Sequence, residues 1–222
     1  MPIGSGSIPW PTAISLMSTV RSLDRAQIQV QVEAPVGCSV VTWARDAVVG
    51  EFLKSDFTHL FWVDSDIVWL PKDFIRLLGF GAIYPIIGAA YPLKKDPPTV
   101  LINTVGEKGD RAVNGHGNVQ VKSLGLGFTC VQREVIAHLA STKLTVRDTL
   151  NNTEYPDMFR IGRKPDGGAL GEDVAFFEDL DALGYEAWLD PSVKLGHVGP
   201  KIYTGDVIAA LGLNDYTQEK KE

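Results

Sequence analysis

The chain has 222 residues, 45% of them hydrophobic and 22% charged, an ordinary globular balance and enough length for one large α/β domain or two small ones. A net charge of −6 argues against a general binder of nucleic-acid backbones. No apolar run reaches membrane-spanning length, and no basic region leads into an apolar stretch at the start, so neither a membrane span nor a signal peptide is expected. The two cysteines, Cys38 and Cys130, lie far apart in apolar surroundings and are expected as buried thiols rather than a disulfide.

Residues 1–9 are poor in apolar side chains and predict a loop or a weak first strand. Thr12 can cap a helix to about Leu23, with Ile14, Leu16, Met17, Val20 and Leu23 at helical spacing. Ile28, Val30 and Val32 alternate with polar residues, which signals a strand. After a turn at Pro35–Ser39, a helix is expected from Ser39 or Thr42 to about Ser55, with Ala44, Val48 and Phe52 buried and Arg45 in its first turns.

The stretch Thr58–Trp69 carries the strongest functional signal. Leu60, Phe61, Trp62 and Val63 form an apolar run that reads as a strand buried on both faces, and it ends in two acids, Asp64 and Asp66, around Ser65. Uncompensated carboxylates are costly to bury, so they need a partner. Alternation along a strand would turn both acids to one side, where they could reach one ligand. Beyond the carboxyl end of a strand is where open α/β sheets bind ligands. Mg²⁺ or Mn²⁺ takes carboxylate oxygens and keeps positions open for phosphates, so a metal and nucleotide-phosphate site is expected here.

Pro71 suits the first turn of a helix to Leu78, ended by Gly79. Tyr84–Tyr91 is an apolar run broken by Asp96-Pro97-Pro98, and Val100–Ile102 and Ala112–Lys122 suggest antiparallel strands. Gly125–Gln132 reads as a strand entering a helix over Arg133–Ala140. Residues 142–170 are polar and predict a long mobile loop. Glu172 and Asp173 then open an amphipathic helix to Leu183, with Val174, Phe176, Phe177, Leu180 and Leu183 as its stripe. Strands are expected at Glu186–Leu189 and Val193–Val198, a short helix near Asp206–Leu211, and a frayed tail over 214–222. The alternation of strand and helix in the first half predicts a single domain with a mostly parallel central sheet, flanked by helices and carrying a small antiparallel extension. Trp43, Trp62, Trp69 and Trp188 are expected in the core, with Trp69 also placed to face a ligand. His59, His116 and His138 are expected in structural or surface roles.

Several of these pieces, in this order, resemble nucleotide-sugar-dependent glycosyltransferases of the GT-A fold, particularly small bacterial and phage-type members. They are Ala44-Arg45-Asp46, THLFWVDSDIVWLP, IIGAAYPLK, GLGFTCVQREV, LGEDVAFFEDLDALGYEAWLDP and LGHVG, which together span most of the chain from Thr42 to Gly199. The resemblance implies a Rossmann-like GT-A domain. It implies that Asp66 touches a Mn²⁺ or Mg²⁺ ion on the donor diphosphate, that Asp64 helps hold ribose and metal, and that His197 completes the metal site. Arg45 and Ser65 would join the donor contacts. The acids Glu172 and Asp173 would lie near the acceptor, with 142–170 as an acceptor-side loop, and Asp173 is favoured as general base. The positive end of a helix is expected to keep such an acid ionised. The implied partners are a UDP-sugar donor and an acceptor that is a glycan, a protein or a modified nucleic-acid base. The unpaired cysteines and the lack of a signal peptide or apolar span make the cytoplasm the expected location, that of the host if the protein is viral. The family opens with an apolar strand, which residues 1–9 do not provide.

Two other readings fit parts of the sequence. Asp64-Ser65-Asp66-Ile67-Val68 also matches the strand-end motif of haloacid-dehalogenase-type phosphatases, with Asp64 as nucleophile. That motif normally lies nearer the N-terminus, and this reading leaves His197 and the GLGF segment unused. A nucleotide-sugar-binding module without catalysis is the third.

Overall fold

The computed structural model describes residues 1–3, 6–35, 38–106, 112–148 and 152–213. The expected tail over 214–222, Asn151 and part of the turn after Pro35 lie outside them. In chain order the elements are α1 (Trp10–Arg25), α2 (Val41–Lys54), β1 (His59–Val63), β2 (Ile67–Val68), α3 (Pro71–Gly81), β3 (Ile86–Gly88), β4 (Asn103–Thr104), β5 (Val119–Ser123), β6 (Phe128–Gln132) and α4 (Arg133–Ser141). They continue with β7 (Thr145–Asp148), β8 (Thr153–Pro156), β9 (Gly162–Arg163), β10 (Ala169–Leu170), α5 (Glu172–Ala182), β11 (Ala187–Leu189), β12 (Gly196–Val198), β13 (Ile202–Thr204) and α6 (Val207–Leu211).

Six strands form the main sheet in the order β1-β6-β3-β11-β5-β4. Only β3 and β11 pair in parallel; every other neighbour in that sheet is antiparallel. The fold is therefore mixed α/β, and the expected mostly parallel sheet is corrected. Sequence alternation of strand and helix implies parallel pairing only when consecutive strands become neighbours. Here β6 inserts between β1 and β3 and runs against both.

Strand alternation divides the core into two layers. Trp62, Ile86 and Val131 point into one, which is closed by Phe52 of α2, Leu139 of α4 and Phe176 of α5. Val63, Ile87 and Cys130 point into the other, closed by Leu23 of α1 and Leu77 of α3. Helices thus cover both faces of the sheet.

Four local expectations change. Residues 28–32 form no strand ladder with any described residue, and Ile28, Val30 and Val32 are all exposed; they line a hollow of about 210 Å³ beside β1, an end strand of the sheet. α1 turns its small polar residues Thr12, Ser15 and Thr19 inward with Leu23 and leaves Ile14 and Met17 outside. The reason is Trp69, whose backbone N–H donates to Ser15 Oγ and whose indole N–H donates to Thr19 Oγ1 at 2.8 Å. That bond buries Trp69 under α1, while Trp43 is exposed instead of in the core. Finally, the 142–170 region holds two hairpins, β7–β8 and β9–β10, with Met158 and Phe159 fully buried between them.

Candidate active site

β1 and β3 both run antiparallel to β6, so their carboxyl ends meet at one edge, and β11, parallel to β3, ends there too. The functional candidates gather at that edge. β1 stops at Val63, and Asp64–Asp66 form a turn in which the Ile67 N–H donates to the Asp64 carbonyl at 3.3 Å. Strand alternation no longer applies within a turn, and the two acids take different partners.

Asp64 turns to Arg45 and Tyr91. Its Oδ1 accepts from Arg45 Nη2 at 3.2 Å, and its Oδ2 accepts from the Tyr91 hydroxyl at 3.4 Å. Its backbone N–H donates to the Gly127 carbonyl at 3.0 Å. Gly127 is required there: a Cβ would lie 2.6 Å from the Tyr91 oxygen and 2.7 Å from Asp64 Oδ2. Burial, then the charges of Asp64 and Asp173, hold the Tyr91 hydroxyl protonated well above its usual range, so it remains a donor.

Arg45 is 2% exposed, far from the solvated helix arginine that its position in α2 would allow. Its guanidinium stands 5.4 Å from the Trp62 ring centroid. Besides Asp64, Nη2 lies 3.6 Å from Asp173 Oδ1 and 3.8 Å from Glu172 Oε1. The helix-start acids and the strand-end acid therefore share one cation. Asp173 Oδ2 also accepts from the Leu126 N–H at 3.3 Å. Three carboxylates on one guanidinium leave excess negative charge. Burial raises the Asp173 carboxyl to about 7, against the pull of Arg45 and with help from Glu172 and Asp64. The expectation that the helix terminus alone keeps this acid ionised is thus revised, because burial outweighs a partial helix charge.

Asp66, about as exposed as Asp64, takes a different pair of partners. Its Oδ2 is paired with the Lys94 ammonium, and its Oδ1 stands 3.4 Å from His197 Nε2. The sheet β2–β12–β13 brings His197 there: His197 pairs with Ile67, and the Val198 N–H donates to the Asp66 carbonyl at 2.8 Å. Burial would raise Asp66, but contacts with His197 and Lys94 more than offset it and bring the carboxyl down to about 2. His197 Nδ1 lies 2.9 Å from the Pro92 carbonyl, which can only accept, so Nδ1 carries a proton. Nε2 is left facing a carboxylate oxygen.

Among the described residues no three His, Cys, Asp or Glu side chains gather as a ready cation cage. The donor set at Asp66 nonetheless suits one. Mn²⁺, softer than Mg²⁺, accepts an imidazole beside carboxylate oxygen and completes its shell with water and phosphate, whereas Mg²⁺ prefers oxygen alone. A ligating histidine commonly anchors its other nitrogen on a backbone carbonyl, as Pro92 does here. The structure brings Asp66 and His197 together, turns Asp64 to Arg45 and Tyr91, and leaves Ser65 half-buried in the turn between them.

Three residues of this corner were missed from the sequence. Tyr91 and Lys94 follow the apolar run of β3, and polar groups just past a buried strand were a usable signal. Asp46 was not. Its Oδ1 accepts from the backbone N–H groups of Met158 at 2.8 Å and Phe159 at 3.2 Å, clamping the 142–170 segment onto α2. Phe159 in turn stacks on Phe176 of α5 with centroids 5.0 Å apart. Cys130 is a buried free thiol, raised to about 12 by burial, and Cys38 is free and partly exposed.

No family model and no curated protein matches the chain. Among solved structures, A197 from STIV is similar, with a TM-score of 0.57 and 21% identity, over 89% of this chain and 83% of that one. A likeness at that identity is one of fold.

Proposed function

We propose that this protein is a metal-dependent glycosyltransferase of GT-A type, moving a sugar from a nucleotide-sugar, a UDP-sugar first, to an acceptor hydroxyl or amine. The observation that carries this is the pair at the carboxyl edge of the sheet: Asp66 beside His197 Nε2, with Nδ1 pinned on Pro92. Asp66 and His197 would hold Mn²⁺ or Mg²⁺, which when bound supplies positive charge against the departing diphosphate. Arg45, being buried, acts on this reading by fixing Asp64 relative to Glu172 and Asp173, not by touching phosphate. Asp64, so fixed, presents one edge of the donor pocket. Asp173, with its carboxyl near 7, is poised to take the acceptor's proton, and Glu172 beside it orients the acceptor.

The phosphatase reading is disfavoured by the same geometry. Asp64 accepts hydrogen bonds on both oxygens, from Arg45 and Tyr91, which withdraws electron density from the carboxylate that would have to attack phosphorus. The test is a panel of UDP-, GDP-, CDP- and ADP-sugars with Mn²⁺ present, read as nucleoside diphosphate release, beside a generic aryl phosphate. Release from one nucleotide-sugar class supports transfer. Phosphate release from the aryl ester alone would replace it with the phosphatase.

A further inference from the structure

The Asp66 corner holds a positive charge that the metal account does not use. Lys94 sits in the loop after β3, two residues beyond Pro92, and its ammonium is paired with Asp66 Oδ2. The loop is braced around it: the Leu93 N–H donates to the Thr99 carbonyl at 2.8 Å, and Lys201 pairs with Asp96 at 2.6 Å. The aliphatic stem of Lys94 runs over Gly199, where an added Cβ would come within 3.3 Å of Cδ. A side chain at 199 would therefore crowd the lysine. Pro92, in the same loop, anchors His197. One loop thus presents both the histidine and the ammonium to a single carboxylate.

From this geometry we infer that Lys94 is the resident counter-ion of Asp66, and that a divalent cation must displace or repel it to bind. The inference rests on the proposed metal site. Oδ1 faces the imidazole and Oδ2 faces the ammonium, so a cation entering between Asp66 and His197 arrives beside a like charge. Metal loading is then tied to an anionic ligand: the phosphates of a nucleotide give the ammonium a new partner and free Asp66. Without such a ligand, Lys94 keeps the corner neutralised and metal binds weakly.

The test is Mn²⁺ binding to the full chain without nucleotide, followed by electron paramagnetic resonance of free Mn²⁺, in wild type, Lys94→Met, Lys94→Arg and Asp66→Asn. Removing one like charge within a few ångströms of a divalent ion, at a site about one-third exposed, should tighten Mn²⁺ binding by on the order of tenfold in Lys94→Met. Lys94→Arg keeps the charge and should bind as wild type does. If Lys94→Met matches wild type while Asp66→Asn loses Mn²⁺, the lysine inference is overturned and the metal site stands. If Lys94→Arg gains as much as Lys94→Met, bulk and not charge is at work, and the inference is again overturned. If no form binds Mn²⁺, even with UDP added, both the metal site and the role given to Lys94 fall.

Discussion

Asp64 and Asp66 are two residues apart and serve different neighbours, which sets what their removal should do. Asp66 is about one-third exposed, and its ion pair contributes at most about 1 kcal/mol to stability. Asp66→Asn should therefore fold normally. A ligand at roughly 100 times its Kd stabilises the native state by about 2.7 kcal/mol, and the variant should lose that gain for Mn²⁺ with nucleotide. Thermal melts of both forms, with and without ligand, check this; equal shifts would remove Asp66 from the site. Asp173 makes a different prediction. Burial raises its carboxyl to about 7, and a base must be deprotonated, so turnover should rise with pH through about 7 and level off roughly one unit higher. Asp173→Asn should lower turnover by roughly 10²–10⁴-fold and flatten that profile. An unchanged rate would make the acid a structural neighbour of Arg45. Asp64 and Asp66 stand out in the sequence as acids ending an apolar run, Glu172 and Asp173 as acids at a helix start, and His197 as a late-strand histidine whose role only the resemblance implies. Their partition into two sets was not visible, because it depends on where β1 ends, at Val63, and on Tyr91 and Lys94 arriving from β3.

At the scale of elements, α2 joins the site to the hairpin region through Asp46, a 1% exposed acid whose second oxygen has no hydrogen-bond partner among the described residues. Burial raises its carboxyl to about 7, against the pull of the Met158 and Phe159 amides. An acid raised in the folded state and near 3.9 when unfolded holds its proton more tightly in the native form. Its contribution is therefore most favourable at pH below about 4, declines as pH rises to about 7, and is constant above that. Asparagine keeps the accepting oxygen without the charge. Stability of wild type relative to Asp46→Asn should fall by up to a few kcal/mol across that window. Urea unfolding at pH 5, 6, 7 and 8 measures it, and parallel slopes for the two proteins would contradict a buried, proton-holding Asp46. Most helices were legible from apolar spacing, and α2, α4 and α5 lie close to their expected bounds. The face of α1 was not, since Ile14 and Met17 yield the interior to Thr12, Ser15 and Thr19 once Trp69 needs hydrogen-bond partners. The hairpins in 142–170 were hidden because their strands are short and largely polar, and the two apolar anchors, Met158 and Phe159, are held by an acid on another element.

At the scale of the molecule, a sheet flanked by helices was expected from the alternation of strand and helix, but the strand order was not. Pairing of β6 with both β1 and β3 is a long-range choice that local periodicity does not encode. That choice has a functional result. It aligns the carboxyl ends of β1 and β3, setting Asp64 and Asp66 beside Tyr91 and Lys94, while Gly127 at the start of β6 leaves room for the Tyr91–Asp64 contact. The account of the whole protein stands on metal-coupled nucleotide binding at this edge. Calorimetric titration of UDP into the wild-type chain, once with Mn²⁺ and once with a chelator, tests it. Saturable binding with Mn²⁺ that disappears with the chelator, and is absent from Asp66→Asn in both, is the expected result. UDP binding of equal strength with the chelator present would contradict it.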